Sequence, residues 1–160
     1  MRATTFSYNR AMSPDAVSET LRRDREEWAA LTALLDGHPV GPVHDPDSPE
    51  WEARHVYAHF ARWTGHSTDD LEAVLGGRER PRAPEGDDDA INARWRGEDD
   101  AIGLEEARRR AQAAFERRIA AIEAVPSERW DDLLTAIAHA DGYTHIGGHR
   151  RYIEAAAQRH

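Results

Sequence analysis

His145 and His149 lie four residues apart in the stretch Asp141-Gly-Tyr-Thr-His-Ile-Gly-Gly-His-Arg-Arg-Tyr-Ile153. If that stretch is helical, both imidazoles leave one face, one turn apart, and can grip a single divalent ion. Ile146, His149, Ile153 and Ala156 recur at helical spacing, so the pair is expected on or beside the stripe that packs inward. Gly147 and Gly148 stand between the histidines, and each costs about 1 kcal/mol relative to alanine in a helix interior. Close approach of another backbone or of a ligand is the usual reason for such glycines. Further imidazoles come from the segment holding Val56, His59, Phe60 and Trp63, whose i, i+3, i+4, i+7 spacing puts His59 at the edge of an apolar stripe. A lone histidine there is more often a hydrogen-bonded core residue than a ligand. His55 and His59 form a rival pair ranked below His145 and His149, and His66 is read as rim. Spacing alone does not choose between His55 and His59 as a third ligand.

Three neutral imidazoles leave positions open for water or substrate, which is the arrangement of a catalytic metal site. The absence of cysteine removes thiolate ligands, disulfides and a cysteine nucleophile together. Lysine is also absent, so all 21 basic residues are arginine and Schiff-base chemistry is excluded. The formal charge of -9 and the pI near 5.4 leave no basic excess to displace counterions, so nucleic acid is not an expected partner. No run approaches 18 apolar residues, and Met1-Arg-Ala-Thr-Thr-Phe-Ser-Tyr8 lacks the apolar core of a signal peptide. A cytoplasmic protein with no membrane partner is expected.

The elements that must position these histidines read as helices. With 160 residues the chain fits a single domain, expected as a loose leader over 1–12 and one bundle over 13–160. Ser13-Pro14-Asp15 is a helix start, and Leu21, Trp28, Leu31 and Leu35 carry a stripe as far as Gly37. His38 to Pro46 is a loop by its proline and glycine content. Ser48-Pro49-Glu50 repeats the start signal, and Gly76-Gly77 closes the second helix. Residues 78–89 read as an exposed polar loop without the ligand spacing of an EF-hand, followed by a short helical segment over Asp89–Trp95. Leu104, Ala107, Ala111, Phe115, Ile119 and Ile122 define the clearest helix, with Arg108, Arg109, Arg110, Glu116, Arg117 and Arg118 as its solvated face. Pro126 to Trp130 starts a further segment through Leu133, Leu134 and Ile137, with a break near Asp141-Gly142. The predicted helices are 14–36, 49–75, 104–125 and 142–158, with no strand pattern. An all-α four-helix bundle follows, and such bundles build metal sites from side chains on facing helices. Val40 and Val43 are expected as exposed apolar residues that a homodimer would cover.

Four motifs occur in order, within a resemblance that spans about residues 15–155: Trp51-x7-His59, Asp89-x2-Asn92-x2-Trp95, Pro126-x3-Trp130 and His145-x3-His149-Arg150. Together they resemble the DinB-like superfamily, which includes thiol-dependent transferases of the mycothiol-dependent maleylpyruvate isomerase type and small self-resistance proteins. The resemblance implies an up-up-down-down bundle and a divalent metal (zinc, nickel or iron) held by His59, His145 and His149. A metal so held lowers the pKa of a bound thiol or water. The resemblance favours mycothiol or a related low-molecular-weight thiol added to an electrophilic small molecule in detoxification or antibiotic metabolism, with hydrolysis as a variant. The alternative is a binding protein that sequesters a toxic small molecule for self-resistance. A metal-free bundle with the histidines as polar core groups is the remaining reading. Trp63, Trp95 and Trp130 can wall an apolar pocket and, with Asn92 and Tyr152, are the candidate substrate-binding residues. Asp141, Tyr143 and Tyr152 are the candidate acid–base groups, and Asp141 is also a candidate acceptor for a ligand imidazole.

Overall fold

A computed structural model describes residues 11–43 and 51–158. The start signal at 48–50 and most of the expected leader lie outside the described residues. Helix α1 (Pro14–Gly37) begins where Ser13 accepts the Ala16 N–H at 3.2 Å with proline in the first turn, and it buries Leu21, Trp28, Leu31 and Leu35. Helix α2 (Ala53–Leu75) starts later than the predicted 49: Glu52 and His55 form a reciprocal capping box at its N-terminus. The remaining helices are α3 (Asp88–Glu98), α4 (Leu104–Glu123), α5 (Asp132–Ala140) and α6 (Tyr143–Ala157), with one 3₁₀ turn over Ser127–Arg129. Among the described residues the only β pairing is an isolated bridge between Pro42 and Glu52, so the fold is all-α. No helix among the described residues is long and apolar enough to cross a membrane.

Side-chain contacts set the directions of the four long helices. Arg54 reaches the Ile102 carbonyl ahead of α4, and Arg117 pairs with Asp69 and Glu72, so α2 and α4 run parallel. Asp24 meets Tyr143 and Glu27 meets Arg150, so α1 and α6 also run parallel. Tyr57 donates to Asp36 while Phe60 lies edge-on to Trp28, which makes the two pairs antiparallel. Going round the bundle as α1, α6, α2, α4, the directions are up, up, down, down. Along the chain they read up, down, down, up, because the loop after α2, together with α3, returns the chain to the end where α2 began.

Trp28 forms the centre of the core, stacked on Phe115 at 4.8 Å and edge-on to Tyr57 and Phe60. The structure departs from three of the expectations drawn from the sequence. Met12, assigned to the leader, is buried beside the Thr20 hydroxyl. Val43 is 4% exposed, and its N–H donates to the Trp51 carbonyl at 2.9 Å, so Val40, at 88% exposure, is the exposed valine of that loop. Arg118, placed on the solvated face of α4, is buried against Asp24. The helical period assigns a face but not what lies across from it, and here a carboxylate of α1 does.

Candidate metal centre

The site is assembled from the start of α6. Asp24 is fully buried in α1, and its Oδ1 accepts the Tyr143 N–H at 2.7 Å, capping the first turn of α6. Its Oδ2 accepts from Arg118 Nη2 at 3.0 Å, and the same guanidinium donates to the Ala138 carbonyl in α5. A Cβ on Gly142 would lie 2.9 Å from both Arg118 Nη2 and Asp24 Oδ1, so the elbow between α5 and α6 requires glycine. One ion pair thus ties α1, α4, α5 and α6 together within one turn of His145.

Around that elbow three imidazoles converge. His59 Nε2 and His145 Nε2 are 3.1 Å apart. The ring centroids are 4.6 Å apart for His59 and His149, and 5.0 Å for His145 and His149. One nitrogen from each ring lies within 4.8 Å of the others, so the three can hold one metal ion. His145 Nδ1 donates to Asp141 Oδ1 at 3.0 Å, which fixes the proton on Nδ1 and leaves the Nε2 lone pair facing His59. Burial works to raise the pKa of Asp141. The hydrogen bond from His145, with Ser67 and Arg118, outweighs burial and holds it below the ordinary carboxylate value. Phe60, almost wholly buried, lies with its ring 5.0–5.4 Å from all three imidazoles. Trp51 packs 5.3 Å from His59 and 6.3 Å from His149. This aromatic floor lowers the local dielectric, which strengthens the attraction between the ring nitrogens and a bound cation. The donor set fits a borderline divalent metal, since neutral imidazole suits zinc, nickel and iron.

A cleft of about 780 Å³ opens on the three rings, within the size range of small-molecule sites. Trp63, Asn92 and Asp141 line it, and the Trp63 indole donates to Asn92 Oδ1 at 2.8 Å, which fixes the plane of that wall. Trp95 packs edge-on behind Trp63 at 4.9 Å. Trp130 belongs to the core and Tyr152 lies half-exposed beside His149, 6.0 Å between rings; neither lines the cleft. Tyr143 sits under the Arg23 guanidinium, outside the lining. The rival pair does not assemble: His55 Nδ1 accepts the Glu52 N–H at 2.9 Å, and burial keeps its pKa below the ordinary histidine value. His66, read as rim, lines the cleft, as do Asp70, Arg80 and His139, which the sequence reading did not select. Asp70 stands eleven residues from His59 on α2, a whole number of turns to within about 20°, so periodicity could have found it. Arg80 and His139 arrive from a loop and from α5, and no local signal marks them. Of the glycine pair, Gly147 is approached by a side chain rather than by the expected backbone or ligand: its Cβ would lie 3.2 Å from Glu27 Oε2. Gly148 faces open space.

Neither a family model nor a curated protein matches this chain. Among solved structures it is similar to an uncharacterised protein from Escherichia coli UTI89, at a TM-score of 0.71 and 10% identity over 92% of this chain and 95% of that one. At that identity the likeness shows the fold alone. Fold and site together define an all-α bundle carrying a three-histidine centre at the base of a cleft.

Proposed function

We propose that the protein is a metal-dependent enzyme of the DinB-like type, with His59, His145 and His149 as metal ligands and an electrophilic small molecule as substrate. The observation that carries this reading is the convergence of three imidazole nitrogens, from two facing helices, at the base of a cleft large enough for a small molecule. A divalent metal bound there supplies Lewis acidity that makes a thiol or water nucleophilic at neutral pH. Asp141 holds the His145 proton at Nδ1, while Phe60 and Trp51 keep water from the rear of the rings. Trp63 and Asn92 orient the substrate. The motif resemblance supports the family and a low-molecular-weight thiol of the mycothiol type as co-substrate, with water as the variant nucleophile. Trp51 and His59 from one motif and His145 and His149 from another meet at one place.

Elemental analysis of protein purified without a histidine tag tests the reading, followed by thiol-consumption and hydrolysis assays on electrophilic substrates. About one divalent metal per chain is expected. His145→Ala or His149→Ala should remove most of it and any turnover at unchanged helical content, whereas His55→Ala should do neither. Full metal occupancy and activity in His149→Ala, or loss of both in His55→Ala with retention in His59→Ala, overturns the assignment. Metal bound without turnover of any electrophile would instead favour a protein that sequesters its ligand.

A further inference from the structure

The cleft extends well past the imidazoles. His59, Trp63, His66 and Asp70 share one face of α2, and at 1.5 Å per residue the rise from His59 to Asp70 is about 16 Å. At that far end the charges are unequal. The Asp70 side chain is 8% exposed; its Oδ2 accepts from Arg80, while its Oδ1 is buried with no donor among the described residues. Arg80 is therefore already engaged, and Asp70 still carries an oxygen short of hydrogen. Asp88, in the first turn of α3, also lines the cleft, and no ion pair among the described residues involves it. Trp63 lines the same cleft, and an indole π face attracts cations. An anion entering this end would meet one guanidinium already matched to a carboxylate and a second carboxylate with no ion-pair partner among the described residues.

We infer that the far end of the cleft selects a positively charged head group. The molecules taken by the site are then ammonium or amidinium compounds whose cationic end lies toward Asp70 and Asp88 and whose other end reaches the imidazoles. This rests on the cleft being the substrate site proposed above, and it names the substrate class. A single extra negative charge across partly screened distances is expected to favour a cation over its neutral analogue by about tenfold.

The test uses three probes with one indole body: tryptamine, tryptophol and indole-3-acetate. Each is titrated at millimolar concentration into chelator-treated, metal-free protein at about pH 8, where ordinary imidazoles are neutral. The Trp63 indole and Asn92 side-chain amide signals are followed by nitrogen-resolved NMR. Tryptamine should bind about tenfold tighter than tryptophol, with indole-3-acetate weakest, and the preference should shrink in about 0.5 M salt. Asp88→Asn, an exposed change that leaves the core untouched, should reduce the preference by about two- to threefold, and Asp70→Asn/Asp88→Asn should abolish it. Equal or tighter binding of the neutral or anionic probe, no response at Trp63 and Asn92, or an unchanged preference in Asp88→Asn overturns the inference. Because no metal is present in the assay, such a failure leaves the metal-centre reading standing, and loss of metal in the histidine variants leaves this inference untouched.

Discussion

Replacing Asp24 by alanine leaves the Arg118 guanidinium, 3% exposed, without the carboxylate that faces it at 3.0 Å. The same change leaves the Tyr143 N–H without its acceptor at 2.7 Å. Breaking a buried ion pair from one side typically costs about 3–5 kcal/mol, because the surviving charge stays buried and uncompensated. Against a typical domain stability of about 5–15 kcal/mol, that is a large share. For a chain of this size about 1 kcal/mol moves Tm by roughly 2–4 °C, so Tm should fall by roughly 6–20 °C. Thermal and urea unfolding followed by far-UV circular dichroism on metal-free protein would measure it. The double variant Asp24→Ala/Arg118→Met removes the orphaned charge and should recover most of the loss, since apolar replacement of a buried pair is often neutral. Divalent-metal affinity should remain weakened in both variants at temperatures where they are folded, because the cap that seats the first turn of α6 is gone. A loss below about 1 kcal/mol for Asp24→Ala, or a double variant no more stable than the single one, would refute the role given to this pair.

Gly142→Ala should destabilise by about 1–3 kcal/mol in urea titrations, since the added methyl meets Arg118 and Asp24 at 2.9 Å, both held in a buried ion pair. Gly148→Ala should instead stabilise by about 0.5–1 kcal/mol, with nothing within 4 Å of the new carbon and a helix interior that favours alanine; a drop in turnover without a drop in Tm would show that the space belongs to a ligand. His55 is held neutral by burial, its pKa depressed in the fold, so the unfolded chain takes up its proton first as pH falls. Its contribution is fully present above about pH 6.5 and is lost as pH drops through the lower folded value. His55→Gln keeps an acceptor for the Glu52 N–H, so the wild-type protein should lose stability relative to this variant below about pH 6.5, and parallel stability–pH curves in metal-free buffer would exclude the effect.

Helix existence and facing were legible in the chain, because they depend on residues three and four apart. The stripe Leu21, Trp28, Leu31, Leu35 and the breaks at Gly76-Gly77 and Asp141-Gly142 needed no tertiary information, and the extents of α1, α4 and α6 fell within two residues of expectation. The inward setting of His59, His145 and His149 was legible for the same reason. What joins distant segments was not. The periodicity of α4 assigned Arg118 to solvent, and only the approach of α1 turned it into half of a buried pair; Trp130 and Tyr152 looked suited to a pocket that the path of α5 and α6 leaves them outside. His55 and His59 have the same local spacing relation as His145 and His149, and which of them reaches the second pair depends on the rotation of α2 against α6. A helical repeat fixes which residues share a face, but where that face points in the bundle is set by contacts between residues some eighty to one hundred and twenty positions apart, such as His59 with His145 and Asp24 with Tyr143.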